Sequence, residues 1–539
     1  MSGSTLVEVF GHFVVSFTRG VTEHYNPEEP EFTAEDFGYN PLESTGREWY
    51  RHPVDELIYQ EYSDRVATNW DYLASSSLNV RITNAYSPDN EETTEDQQDE
   101  DRAMAWKPLR PSLLLSVFKS MYIGALISLL TATFQGTAYV LISYLCYKTV
   151  HSCEFQSGKA IPVRVQWMRT ISSVFFCLFI YMWYLTIVLS LFRPFQLIGV
   201  RRKLILVCGI FYCLDALYRV ALQALAISHS KISTVQKIPL NILFFVSVWL
   251  QIYLLTDHFE MLARSRTQKL TFFFQMTVPI CFSFLLGITT ASFIYPTFSK
   301  QNREGKLLIA LLAPLTGVVL KVISRICVQR LWNITHPGRS YVLLVPLYCG
   351  SAVMFRVLQA DLDSLESIAI LGIIHGAAEV IERSTMVVID HICHRLWKRT
   401  SAPWGSFRTP RRERLMADIA IMSMLFESTA IVSVNGLLYL YQFVYLQNQS
   451  LKYLLQSFAI HTSVQLLIEW FFTSMSLMIE TRYQNMAVMA VWRKQWKRHI
   501  LVAVVNVVPL AVWTSTNLLQ IVHGRFNEAN QPCKMPFTK

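Results

Sequence analysis

Eleven apolar runs, near residues 121–147, 170–192, 204–227, 238–256, 270–296, 307–327, 341–360, 367–389, 417–445, 453–479 and 500–522, follow one another along this chain. Each is close to or above the ~20 residues a helix needs to cross ~30 Å of hydrocarbon. A backbone in hydrocarbon must satisfy its N–H and C=O groups internally, and runs of this length do so as helices. The expected fold is therefore all-α: a polytopic α-helical membrane protein of about eleven spans, within a range of roughly nine to twelve. Composition agrees. Hydrophobic residues make up 52% of the chain and charged residues 16%, against about 25% charged in soluble domains. Pro279, Pro314, Pro346 and Pro509 fall inside spans, where neighbouring helices tolerate kinks.

Charge divides the chain. Residues 1–110 hold 22 Asp and Glu against 8 Lys and Arg, whereas the remainder holds 17 against 40. Three regions follow: an acidic, largely disordered cytosolic segment at 1–110, a transmembrane domain at 111–523, and a short tail at 524–539. Residues 86–101 (YSPDNEETTEDQQDED) have too little apolar content to fold. The basic excess is spread over many loops. It suits anionic lipids at a cytosolic leaflet and is not the single basic face of a nucleic-acid binder.

Loop charge also orients the chain. The loops after spans 2, 4, 6, 8 and 10 hold 21 Lys and Arg, and those after spans 1, 3, 5, 7 and 9 hold 10. By the positive-inside rule the first set is cytosolic. A cytosolic N-terminus, in keeping with the absence of a signal-peptide pattern, and an exterior or lumenal C-terminus are expected. Asn448 is then a glycosylation candidate, while Asn333 falls on the inner side. Cys153 and Cys533 are the cysteines placed clearly in exterior regions and are a candidate disulfide.

Ionisable residues inside the runs are the candidates for chemistry, because a charge near the bilayer centre must face protein or water. Span 8 carries His375, Glu379, Glu382, Arg383 and Asp390 on one stripe, with Glu379 and Arg383 at the i,i+4 spacing of an ion pair. Span 10 carries His461, Gln465, Glu469, Thr473, Ser476 and Glu480 at steps of three and four, one continuous polar face. If the two spans face each other, His375, Glu379, His461 and Glu469 should cluster. Glu427 of span 9 joins the list. Asp215 and Arg219 in span 3 read as a structural ion pair. Lys321 and Arg325 are expected to snorkel to the cytosolic end of span 6, and Asp390 to His394 to form a solvated helix end. The Arg219 and Asp257 segments are echoed at Arg356 and Asp390, which raises the possibility of a duplicated four-helix unit, as in transporters.

No phosphate loop, G-x-S-x-G elbow, H-E-x-x-H or G-x-G-x-x-G sequence is present. No CxxC pair occurs, and Glu379-x-x-Glu382 departs from the Glu-x-x-His di-iron signature. The sequence points to no cofactor and no metal site. Three functions stay open: a secondary transporter or channel with a proton- or ion-linked polar pathway between spans 8 and 10, a receptor or scaffold, and a lipid-modifying membrane enzyme.

Overall fold

The computed structural model describes residues 113–522, apart from connecting segments at 151–152, 154–160, 228–231, 261–265, 399–409, 446–449 and 483–485 and a few single positions. The expectations for residues 1–110, for the tail at 524–539, for Asn448 and for Cys533 lie outside them. Every apolar run becomes a helix: α1 (Leu113–Thr149), α2 (Val163–Leu191), α3 (Arg201–Ala224), α4 (Thr234–Glu260), α5 (Arg266–Thr289, continued to Ser299), α6 (Arg303–Gln329), α7 (Val345–Ala360), α8 (Leu365–Lys398), α9 (Pro410–Tyr445), α10 (Leu451–Arg482) and α11 (Val488–Val522). No strand occurs among the described residues. This is an all-α fold with the helices of a polytopic membrane protein.

Local sequence sets the helix starts. Ser233 and Gln236 form a reciprocal capping box at the entry to α4, with N–H···O distances of 2.9 and 3.3 Å. Ser364 and Ser450 accept backbone N–H bonds at the entries to α8 and α10. Between α2 and α3 the chain turns through Gly199 at φ +91°, a conformation that costs glycine little.

Nine of these helices are long and apolar enough to cross a membrane. The exceptions are α7 and α8. Helix α7 has 16 residues, about 24 Å at 1.5 Å per residue. Helix α8 is longer but carries the polar stripe. Burial explains how α7 is accommodated. In α9 the most apolar window is 83% buried, against 17–50% in the other eight spans. Helix α7, buried almost throughout, packs on α9. These two form the centre. Around them, α1 to α6 and α10 turn large apolar side chains such as Phe118, Phe134, Leu217, Phe293 and Leu467 outward, as a bilayer requires and water would penalise.

Contact register gives helix direction. Residues 135, 136 and 140 of α1 meet 429, 432 and 436 of α9. Residues 372, 376 and 383 of α8 meet 468, 472 and 480 of α10. Both pairs therefore run parallel, and so do α9 and α11, through Arg414–Gln495 and Asp418–His499. Helices α6 and α7 run antiparallel, with Gly317 by Ser351 and Lys321 by Tyr348. Odd helices thus point one way and even helices the other. The start of α1 and the end of α11 lie at opposite faces of the bundle.

Small residues permit the closest contacts, since helix association in lipid depends on backbone approach. A β-carbon on Gly136 would run into Val432, and one on Gly436 into Val140. Gly376 packs under the ring of Phe472 so closely that no β-carbon fits.

The two four-helix units suggested by the sequence echo do not pack alike. Helix α3 packs on its neighbours α2 and α4, while α7 packs chiefly on α9 and α5. Arg219 takes its carboxylate partner, Asp215 at 2.5 Å, from its own helix and donates to Ser173 of α2 at 3.0 Å, whereas Arg356 takes its carboxylate partners from two other helices.

Candidate functional site

The charged side chains of spans 6 to 10 converge where α6, α7, α8, α9 and α10 meet. They form three groups. In the first, Lys321 of α6 reaches Glu382 of α8 at 3.3 Å, and Arg325 reaches Asp390 at 3.0 Å and Glu382 at 3.9 Å. Tyr348 accepts from Arg325 at 3.2 Å and Gln329 donates to Asp390 at 2.6 Å. Two cations meet two carboxylates, and the group is balanced.

The second group centres on Arg383 of α8. Its Nε and Nη2 each donate to a different oxygen of Glu480, both at 2.8 Å, a full guanidinium–carboxylate fork. Glu379, one turn away, stands 3.7 Å from Nη1 and accepts instead from Ser423 at 3.0 Å. The third group centres on Arg356 of α7. Its Nη2 donates to Glu469 at 2.6 Å and to Glu427 at 3.2 Å, while Nη1 donates to Gln359 at 3.0 Å. Thr473 donates to the other oxygen of Glu469 at 3.1 Å.

Each of the last two groups holds one cation and two carboxylates. Across all three, six carboxylates face four cations among the described residues. The surplus is concentrated, because Glu379 is in electrostatic contact with both Glu469 and Glu427. An unbalanced charge in a low-dielectric interior costs several kcal/mol, which singles out these two groups as the candidate site.

The site departs from the sequence expectations in four ways. Helices α8 and α10 do pack together, and Glu379 and Glu469 interact electrostatically from separate groups, but the histidines do not join them. His375 turns toward α6, where Nε2 lies 3.1 Å from the Ala310 carbonyl and the ring packs on Phe355. His461 sits two turns before Glu469 on α10, with Nδ1 2.7 Å from the Tyr439 hydroxyl. Gln465 accepts from Asn435 at 3.4 Å. Second, Arg383 takes Glu480 as its principal partner, ahead of Glu379, because the parallel register of α8 and α10 sets the two side chains level. Third, Lys321 and Arg325 do not snorkel: α7 and α8 close over them, and Arg325 is fully buried. Fourth, Asp390 is no solvated helix end but a buried partner of Arg325. Arg356, named in the sequence only as part of an echoed segment, is the member of this site that sequence reasoning did not place there. Its signal was present, since an arginine within the run 341–360 demands a partner as much as a glutamate does.

A separate cluster lies where α11 breaks. Gln495 leaves helical geometry at φ −126° and ψ 15°. Next to it, buried His499 bonds Asp418 at 2.8 Å and the Gln495 carbonyl at 2.9 Å, and stacks on Tyr341. Arg414 donates to Asp418 at 3.1 Å and to the Gln495 side chain at 3.0 Å. The ring of contacts ties the start of α9 to the kink of α11.

Two modification candidates are constrained. Cys153 is disulfide-bonded, whereas eight cysteines within the helices are free. In the Asn333 sequon, the Thr335 hydroxyl is buried and lies 2.8 Å from the Ser340 hydroxyl. Among the described residues no three His, Cys, Asp or Glu side chains converge to hold a metal ion. The shallow apolar groove beside Trp167 and Ile171 of α2 holds none of these charges. No protein-family model, curated protein or solved structure matches the chain, so its functional reading rests on the geometry of these residues.

Proposed function

We propose that the chain is a secondary transporter or channel whose interior carries protons or other cations between α8, α9 and α10. The observation that supports this reading is the excess of two buried carboxylates over cations in the two groups around Arg356 and Arg383. A bundle held together only by ion pairs needs equal numbers of charges, as the Lys321, Arg325, Glu382 and Asp390 group has. Glu379 and the Glu427–Glu469 pair break that balance, and a mobile cation restores it. Protons suit the site best, because carboxylates held inside a membrane domain beside cations are acid–base groups.

The orientation that fits is a cytosolic start to α1. The basic-rich loops then face an anionic leaflet, with Arg201, Arg202 and Lys203 exposed at the entry to α3. The Cys153 disulfide then lies on the oxidising side.

Reconstituted liposomes under an imposed pH gradient test the function. Wild type should pass protons and Glu379→Gln should not, at unchanged thermal stability in detergent. Full proton flux in Glu379→Gln would overturn the reading. So would loss of stability with intact flux per folded molecule, which would leave the glutamates as structural clamps in a receptor or scaffold.

A further inference from the structure

The four buried cations of the site are not bound alike. Arg383 is locked, with two nitrogens on the two oxygens of one carboxylate. Arg325 places two nitrogens on Asp390 and a third on Tyr348. Lys321 makes one contact with Glu382 and lies over the Tyr348 ring. Arg356 alone divides a single nitrogen, Nη2, between carboxylates on two helices, Glu469 of α10 and Glu427 of α9. Its Nε is buried with no hydrogen-bond partner. The rest of the head is tethered, because Nη1 is held by Gln359, which donates in turn to the Ile368 carbonyl of α8 at 2.7 Å.

A fork to one carboxylate gains two charge-assisted bonds and geometric specificity. A shared single nitrogen gains less from either partner, and giving one up leaves the other in place. We propose that Arg356 is the displaceable counter-cation of the pathway, competing with a proton for Glu469 and Glu427. An arriving proton bonds to a carboxylate oxygen of Glu427 as the longer Nη2–H···O contact to that oxygen, 3.2 Å, breaks. Arg356 keeps its charge and its 2.6 Å bond to Glu469. No electrons change hands, and departure of the proton restores the original contact. The group of three then holds one proton at neutrality, and Arg356 sets which glutamate carries it. This inference deepens the proposed function and rests on it for its role in transport. The proton count, however, can be read without any flux.

The infrared C=O stretch of protonated carboxylic acids, recorded on the full chain in detergent near neutral pH, makes that count. Exposed carboxylates are ionised there and do not contribute. With one surplus carboxylate in each unbalanced group, charge neutrality gives wild type about two buried acids. Glu469→Gln leaves one cation with one carboxylate and should lose about half of the signal. Arg356→Gln should raise it by about half, and Arg356→Lys should leave it unchanged. In flux measurements the half-maximal pH should move upward in Arg356→Gln and stay in place in Arg356→Lys. If Arg356→Gln fails to fold, Glu469→Gln and Arg356→Lys still decide the matter. An acid signal that does not fall in Glu469→Gln, or that changes in Arg356→Lys as it does in Arg356→Gln, overturns the inference. An expected acid count without proton flux in wild type would instead sink the transport reading and leave Arg356 as the residue that sets proton occupancy.

Discussion

Arg383 lies between two glutamates, and a double-substitution cycle on Glu379 and Glu480 separates their contributions. The Glu480 fork consists of two buried charge-assisted bonds at 2.8 Å, each worth about 1.5–3 kcal/mol. Breaking a buried pair from one side costs about 3–5 kcal/mol. Glu480→Gln should lose less, about 2–3 kcal/mol, because Glu379 at 3.7 Å remains to neutralise the guanidinium. Glu379→Gln removes no hydrogen bond from Arg383 and preserves an acceptor for Ser423, so its cost should stay below about 1 kcal/mol. The double variant leaves Arg383 without either carboxylate and should exceed the sum of the single costs by about 1–2 kcal/mol. Unfolding in detergent by denaturant, followed by tryptophan fluorescence, gives the four stabilities. Additive costs would mean that Glu379 and Glu480 do not share Arg383. A larger loss from Glu379→Gln than from Glu480→Gln would refute the assigned pairing.

Gly376→Ala should destabilise the α8–α10 contact by about 1–3 kcal/mol, because the new methyl meets the Phe472 ring; a midpoint equal to wild type in the same unfolding assay would contradict this. His499→Ala leaves Asp418 with Arg414 alone and removes the stack on Tyr341, costing about 2–4 kcal/mol by loss of buried hydrogen bonds, so a neutral substitution would argue against a tie between α9 and α11. Protease protection in sealed vesicles should place the start of α1 and the end of α11 on opposite sides, and finding both on one side would remove a crossing.

Much of this architecture is written in the sequence. Hydrophobic runs in a bilayer can satisfy their backbones only as helices, so the eleven elements and their order could be read directly, although α7 and α8 prove shorter or more polar than the nine that are long and apolar enough to cross. The polar stripes of α8 and α10 were equally legible, because a charge in such a run is costly wherever the helix packs. The i,i+4 pair Asp215–Arg219 is a local feature and was found for the same reason. Partners across helices were not legible. Arg383 prefers Glu480, 97 residues away, and Arg356 joins Glu427 and Glu469, 71 and 113 residues away. Those choices depend on helix register, set in part by where Gly376 and Gly436 let backbones close together. The fate of Lys321 and Arg325 also depends on a neighbour: at a lipid-facing helix end they would reach water, but α7 and α8 cover them. The sequence by itself determined which side chains cannot face lipid. Only the tertiary structure decided which of them neutralise one another and which carboxylates are left over, because charge balance in a low-dielectric interior is a property of the neighbourhood and not of any one helix.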